Sequence, residues 1–511
     1  MDPPHPFIHE VKLTKAQRIR GMVLGSVLFP VRMFLGALLF LLMWPIARLR
    51  LAGLSEEERS RPVTGWRQWL LHPFMWMLSR GAFLCMGFFW LKVKGRRASN
   101  KEAPVLVVAP HRGFLDMCVL LPTQLPTVVS RSENTNLPVI GALLEYNQSV
   151  LVSRKDPESR KKAVAQLKER LTSNGYWPQM LMFSEGTTTN GKALIKFKPG
   201  AFLAGVPVQP VLLSYPNKLD TVCWTFKGTT WLECLWHTAS QLYTNMTVEF
   251  LPVYNPSEEE KNDPSLYADN VEKHMAKALG IPATDYVLEG RGPVSKLGGL
   301  SLPFESPPRE TLALLQKNGF TSSDIEAALG RMIDRCQSQR QGQSSEFRVN
   351  VDDLMSLLRL KDRETALAIC ELYSKDESVD LRQVYVSVAS ISGFVSFKSL
   401  LHTAFTLYDE EGKGSLNAEE LPGIMGALLG VPQYNTSELY SAACKQDGVT
   451  EDDLLRVLTT HPTYQRVTNE YLQPEAAGSR LPITALTNDN TVNNNKSFTN
   501  DNGTLHSKKS D

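Results

Sequence analysis

The sequence predicts an α/β domain, a central sheet flanked by helices, with membrane-embedded N-terminal helices before it and a small all-α module after it. Three observations carry that prediction. Apolar residues crowd into two early stretches, 21–47 and 69–91. Between about residues 104 and 290, short β-branched runs alternate with helical patterns. Further on, an acidic, glycine-containing loop at 409–420 lies between two apolar-periodic segments. With 511 residues the chain has room for two or three domains, divided as 1–100, 101–290, 305–470 and 471–511.

The bulk properties exclude several classes. Lysine plus arginine (55) balance aspartate plus glutamate (53), so there is no global nucleic-acid signature. The seven cysteines stand singly, without a C-x-x-C pair. That pattern argues for reduced, structural thiols and against a disulfide framework.

In the first apolar stretch Arg32 is the single charge. As a helix, its uninterrupted part from Met33 to Ala47 reaches only about 22 Å, against a hydrocarbon core of roughly 30 Å. The whole stretch is long enough to span, but then Pro30 and Arg32 lie inside it. The second stretch holds His72, Pro73 and Arg80. Three arrangements fit: one or two true spans, a hairpin entering and leaving one leaflet, or amphipathic helices in the interface. Flanking aromatics and the cations Lys92, Lys94, Arg96, Arg97 and Lys101 suit a headgroup boundary. A cleavable signal peptide does not fit, because the start is polar and no small-x-small site ends the run.

The α/β region follows in order. PVLVVA is short, continuous and bounded by prolines, the pattern of a fully buried strand. A helix then starts at Asp156 as N-cap with Pro157 in its first turn, and Ala163, Val164, Leu167 and Leu171 form its apolar stripe. QMLMFSEGT, VPVQPVLLSY and MTVEFLPVY supply three more strands.

Chemistry in such folds sits where strands end. Two polar clusters hold that position: PHRGFLD, from His111 to Asp116, and Glu185-Gly186-Thr187. On a regular helix a spacing of five sets side chains about 140° apart. His111 and Asp116 therefore meet only if the histidine lies in a loop and the aspartate in the first turns of the next helix. Gly113 would supply the backbone freedom for that bend. Asp116 then fixes the imidazole tautomer while the other nitrogen takes a proton from a hydroxyl. Alone, such a pattern is also what chance places in a loop.

The ordered set around it is more specific. HRGFLD, LPVIGALLEYNQSVLVSR, FSEGTTTNGKALIKFKPGAF and GVPVQPVLL resemble, in order, the four blocks of the HxxxxD glycerophospholipid acyltransferases. With SYPNKLDTVCWT and KALGIPATDY the chain is similar to the lysophosphatidylcholine acyltransferases, well over 20–290 and more loosely over 310–470. The resemblance implies an acyltransferase domain at 101–290. It also implies a membrane-bound enzyme that moves an acyl chain from acyl-CoA to the free hydroxyl of a lysophospholipid with a choline or ethanolamine headgroup. His111 would be the base and Asp116 its orienter. Glu185, Gly186 and Thr187 would line the acceptor pocket, and Arg154 and Arg131 would hold the phosphate, which planar guanidinium donors suit. Lys196 and Lys198 would serve a phosphate or form a solvated basic edge. Acyl-CoA is a co-substrate. No cofactor or metal is expected, since no histidine–cysteine cluster is visible.

The sequence departs from the family pattern in three places. Arg112 and Gly113 stand where small or hydroxyl residues are usual, and Arg112 would contact the phosphate or weaken the imidazole as a base. Ser184 replaces a proline. Thr188 replaces an arginine, which suits a bulky headgroup. Two other readings stay open: a catalytically weak lipid-bound scaffold, and transfer to lysophosphatidate or glycerol 3-phosphate.

DEEGKGSLNAEE, residues 409–420, has the frame of a calcium loop, with Asp409, Glu411, Ser415 and Glu420 as ligands and Gly414 at the turn. Lys413 puts a cation where an oxygen is needed. YSKDESVDLRQV upstream lacks the central glycine and the final glutamate. The expectation is a paired, degenerate EF-hand-like module, open to a protein partner, with calcium binding largely lost. Residues 474–511 are too polar to fold. Their end, Lys508-Lys509-Ser510-Asp511, resembles a dilysine signal of endoplasmic-reticulum membrane proteins, which places the C-terminus in the cytosol and leaves the sequons at Asn147 and Asn245 unglycosylated.

Overall fold

The computed structural model describes residues 5–153, 156–290, 292–341, 347–409, 412–445 and 448–472. Both early apolar stretches are helical. α1 spans Lys15–Leu51, 37 residues or about 55 Å. Thr14 caps it, accepting the Gln17 N–H while the Gln17 side chain accepts the Thr14 N–H. It continues through Pro30 and Pro45. α2, Trp66–Cys85, runs back along it: Arg50 reaches Gln68 near the turn, and Arg32 lies against Gly87 at the other end.

The polar groups of this pair face the rest of the protein. Arg32, only 7% exposed, donates to the carbonyls of Ala239 (2.8 Å), Gln241 and Leu242 (2.8 Å). The Trp76 indole donates to Leu121 and Arg80 to Phe88 and Phe89, each at 2.9 Å. Arg32 is therefore not a charge stranded in an apolar run but a docking pin. Left outside are apolar side chains such as Val23 (65% exposed), Phe34 (69%) and Trp69 (77%). Among the described residues α1 is the one helix long and apolar enough to cross a membrane.

Seven strands form one mixed sheet: β1 (Leu91–Lys94), β2 (Val105–Ala109), β3 (Thr127–Arg131), β4 (Val150–Val152), β5 (Met180–Phe183), β6 (Val208–Ser214) and β7 (Met246–Phe250). Their order is β1-β7-β6-β2-β5-β3-β4. β6, β2, β5, β3 and β4 run parallel, while β7 and β1 run against them. Between the strands lie α3 (Pro138–Tyr146), α4 (Pro157–Leu171), α5 (Trp231–Ala239) and, after β7, α6 (Pro264–Leu279).

β2 explains its own continuous apolar run, because both its faces are covered. Val105, Val107 and Ala109 pack with Ala163 and Leu167 of α4 and Val271 and Met275 of α6. Leu106 and Val108 pack with Phe88, Val119 and Cys234 on the other side. α4 starts as expected, the Asp156 carboxylate accepting the Glu158 N–H. The sheet begins at Leu91, ahead of the boundary expected at 101, because Leu91–Lys94 pairs with Met246–Glu249. Lys94 faces Glu249 at 3.5 Å and Arg96 pairs with Glu102 at 2.8 Å, so part of the basic run expected at a headgroup boundary belongs to the sheet edge.

A meander of Tyr286–Glu289, Gly292–Leu297 and Leu300–Pro303 crosses the end of the expected second domain and fills the gap before the third. It joins the two halves. Gln433 of the helical region exchanges hydrogen bonds with the Ser301 backbone at 2.8 and 2.9 Å, and the Tyr464 hydroxyl donates to Gly298. On the other side Phe304 packs against the His5 and Phe7 rings, and Lys227 pairs with Glu305 at 2.6 Å. Residues 5–9 are themselves tied down: Ile8–His9 pairs with Lys227–Gly228, and the Asn190 amide donates to His5 and Ile8.

The C-terminal region is helical, with two two-residue to three-residue ribbons. Arg348–Asn350 pairs with Ser378–Asp380, and Ser415–Leu416 with Val449–Thr450. The two loops singled out in the sequence are thus not each other's partners; each pairs with a loop whose sequence carries no ligand pattern. The tail with Lys508 and Lys509 lies outside the described residues.

Replacing Arg32 by leucine keeps α1 apolar but strips three carbonyls of their donor at the end of α5. We expect a loss of about 2–3 kcal/mol, read as a lower thermal midpoint of the detergent-solubilised protein.

Candidate active site

β2 and β5 are neighbouring parallel strands, so the loops after Ala109 and Phe183 leave the same edge of the sheet. The first loop carries His111 into a short 3-10 helix, Phe114–Leu120, with Asp116 in its first turn. The Asp116 carboxylate is 1% exposed. Its Oδ2 accepts His111 Nδ1–H at 2.8 Å and the N–H groups of Arg112 at 2.5 Å and Gly113 at 2.9 Å. Its Oδ1 accepts the Tyr215 hydroxyl, from the exit of β6. The imidazole stacks on Phe183, ring centroids 4.1 Å apart, and its side chain is 17% exposed. With Nδ1 held by the carboxylate, Nε2 is the nitrogen left for a substrate proton.

The expected reason for Gly113 is corrected. Its φ is 173°, extended backbone open to any residue. What excludes a side chain is space: a Cβ here would stand 2.7 Å from the Val222 carbonyl oxygen.

The second loop supports the first from below. Glu185 Oε2 accepts the His111 N–H at 2.6 Å, and Oε1 accepts the Ile195 N–H at 3.3 Å. The carboxyl is 1% exposed, so it is a buried clamp rather than the pocket lining expected of it. Burial pushes it up to about 8, against the two backbone donors that favour its charge. Gly186 turns the chain at φ +67°, a conformation side chains resist, with Lys198 packed against it. Thr187 is half-buried in the same loop, and Thr189 N–H returns to the His111 carbonyl at 2.7 Å.

Arg112 is engaged by protein groups. Its guanidinium bonds to Asp220 and, at 2.9 Å, to Cys223 Sγ, and it lies 5.5 Å from the centre of the Tyr215 ring. Its carbonyl accepts the Trp224 N–H. Asp220 and Cys223 meet His9 here, a trio of metal-ligand type invisible in the sequence because residue 9 is distant from the other two. Arg112 already supplies the cation between them. Lys196 pairs with Asp269 at 2.9 Å and lies 3.8 Å from Asp285.

Arg131 is exposed at the end of β3, opposite Val152 of β4. Arg154, two residues past that strand, lies outside the described residues, as does Glu411. Of the other proposed calcium ligands, Asp409 accepts the N–H groups of Lys413 (3.0 Å) and Gly414 (2.7 Å), and Glu420 accepts that of Asn417 at 2.8 Å. Ser415 sits in the ribbon to Thr450. Sequence reasoning missed Phe183, Tyr215 and Asp220. The available signal for Tyr215 was its place at the exit of a strand, the same rule that singled out His111.

A buried carboxylate on one imidazole nitrogen, at the C-terminal edge of a largely parallel sheet, defines a candidate acid–base site, and the surrounding domain is of the acyltransferase class: the Acyltransferase family model matches residues 91–214. Lysophospholipid acyltransferase LPCAT4 from Xenopus tropicalis is 44% identical over 94% of this chain and 92% of its own. LPCAT4 from Homo sapiens is 42% identical over 92% and 89%, and lysophosphatidylcholine acyltransferase 2 from Mus musculus 38% over 92% and 85%. The chain belongs to the lysophosphatidylcholine acyltransferase family.

Arg112→Ser should lower stability by about 2 kcal/mol, the scale of lost hydrogen bonds to a charged group, while leaving the KM for lysophospholipid within about twofold. A pH dependence follows from the carboxyls. Glu272, which accepts the Phe197 and Thr284 N–H groups, is also pushed up to about 8 by burial. Folded-state values above the ordinary 4.5 mean that the folded protein binds more protons than the unfolded chain between pH 4.5 and 8. Stability from these groups is therefore full below that window and falls as pH rises through it. Thermal midpoints taken from pH 5 to 8 should decline, and Glu272→Gln should flatten the decline.

Proposed function

We propose that this protein is a membrane-bound acyl-CoA:lysophospholipid O-acyltransferase, with a choline or ethanolamine lysophospholipid as acceptor. The observation that carries the reading is the His111–Asp116 pair, with its Nδ1 held and Nε2 free. His111 takes the proton from the acceptor hydroxyl as its oxygen attacks the thioester carbonyl of acyl-CoA. The tetrahedral intermediate expels coenzyme A thiolate, breaking the carbon–sulfur bond, and the thiolate accepts the proton from the imidazolium. Asp116 orients the ring and stabilises its charged form. A thioester is activated enough that no covalent enzyme intermediate or resident cofactor is called for.

Glu185 acts through the His111 backbone, setting where the base stands. Gly186 and Thr187 shape the rim of that loop, and Arg131 with Arg154 serve the acceptor phosphate from the ends of β3 and β4. α1 and α2 act as a hairpin held in one leaflet, a reading supported by Arg32, Trp76 and Arg80, which keep one side on protein. The endoplasmic reticulum, with a cytosolic C-terminus, is the compartment the tail favours. Residues 305–470 form an EF-hand-like module of four helix–loop–helix units in two pairs, suited to a protein partner. Its 409–420 loop does not fit calcium: Asp409 and Glu420 are engaged by the loop's own N–H groups, and Lys413 stands at a ligand position.

Microsomes carrying the protein should acylate choline or ethanolamine lysophospholipids faster than lysophosphatidate or glycerol 3-phosphate, using labelled acyl-CoA. His111→Ala should abolish transfer, and Asp116→Asn should lower kcat by roughly 10²–10⁴-fold. Equal transfer by wild type and His111→Ala would exclude the mechanism. Calorimetric titration of the full-length protein with calcium should show no micromolar binding.

A further inference from the structure

We propose that Tyr215 is a positioning residue for acyl transfer: its phenol holds Asp116 Oδ1, so that Oδ2 stays on His111. The proposal rests on His111 and Asp116 being the base and its orienter.

The two carboxylate oxygens of Asp116 are served unequally. Oδ2 has three donors, the His111 ring and the N–H groups of Arg112 and Gly113. Among the described residues, the hydroxyl of Tyr215 is the donor on Oδ1. At 1% exposure no bulk water replaces it. A buried carboxylate oxygen without a donor is costly, and the group can relieve that cost by rotating its second oxygen toward the same N–H groups, away from the imidazole. Tyr215 closes off that rotation.

The ring itself cannot readily swing. It follows β6, the direct neighbour of β2, and the Arg112 guanidinium lies over it while bonding to Asp220 and Cys223. Arg112, which departs from the family pattern beside His111, thereby keeps the phenol in place. Burial, reinforced by the Asp116 charge, pushes the Tyr215 phenol well above its ordinary range, so it remains a donor wherever the enzyme can be assayed.

The same bond sets electrostatics. A phenol donating to Oδ1 draws negative charge away from the oxygen that faces His111, and so limits how strongly the carboxylate favours imidazolium. The other groups near the pair are Glu185 beneath the His111 backbone, Arg112 with Asp220 beyond the phenol, Cys118 on the Asp116 helix and Cys234 from α5. Burial pushes both thiols up to about 12, so they stay neutral. Glu185 titrates alike in wild type and variants.

The test is the pH profile of kcat/KM for the full-length enzyme in detergent, with lysophosphatidylcholine and acyl-CoA. Tyr215→Phe should lower kcat about tenfold, keep both KM values within about twofold, and move the acid-side fall of the profile up by about half a pH unit. Incorporating 3-fluorotyrosine at 215, a stronger donor of nearly the same shape, should move that fall the other way. An unmoved acid side in both variants would overturn the proposal, including the case where kcat drops, since that describes a merely structural tyrosine. The fluorinated protein alone decides if Tyr215→Phe does not fold. His111→Ala, run alongside, separates the two levels: residual full activity there would remove the dyad itself.

Discussion

One buried carboxylate organises the loop on which this site depends. Asp116 is almost wholly withdrawn from water, and an anion there is tolerable only when its lone pairs are met. The chain meets them by wrapping: Arg112 and Gly113 turn their N–H groups inward, the imidazole donates from the side, and a tyrosine closes the far oxygen. The loop's conformation is therefore largely the solvation shell of a single charge. Because Glu185 grips the same loop by the His111 N–H, the ends of two adjacent strands are locked to each other.

A parallel constraint governs the N-terminal helices. Apolar surface in quantity must find lipid or protein, and polar groups on such helices must find partners. α1 and α2 separate the two needs by side. Met43, Ala47, Met75 and Ala82 pack inward with Tyr146 of α3, and Arg32 caps the carbonyl end of α5, where a cation is favoured by the helix dipole. The apolar helices are in this way continuous with the sheet whose edge carries His111.

Much of this was legible in the sequence, for physical reasons that also mark its limits. β2 and β5 announce themselves because central strands covered on both faces need unbroken apolar runs, and β6 and β7 do so less cleanly, as mostly apolar runs broken by Gln209 or by Thr247 and Glu249. β1, β3 and β4 do not: they lie toward the sheet edges, where β1 and β3 carry polar residues and β4 is three residues long. His111 and Asp116 were recognisable as a pair because their spacing and strand-end position are local properties. Arg112, Tyr215 and Asp220 were not, because their meaning comes from convergence of distant segments. Gly113 was singled out for the wrong reason; flexibility is the usual explanation of a glycine, whereas the Val222 carbonyl that excludes a side chain is over a hundred positions away in the chain. In the C-terminal region, helix spacing and the 409–420 frame were readable, but the partner of each ribbon was not, since ribbon pairing depends on where helices pack.

The clamp on residues 5–9 has a bearing on how the protein is made. That segment precedes α1 in the chain, yet its partners, Asn190, Lys227–Gly228 and Phe304, are translated much later. The apolar helix α1 is synthesised in between and has its own claim on the membrane. A nascent chain must therefore keep residues 5–9 uncommitted until the meander emerges, and the wall beside Asp220 and Cys223 is finished only then. The α/β domain is thus assembled around a segment that waits, which delays completion of the surroundings of His111 and Asp116 until nearly the whole domain and its connector have been built.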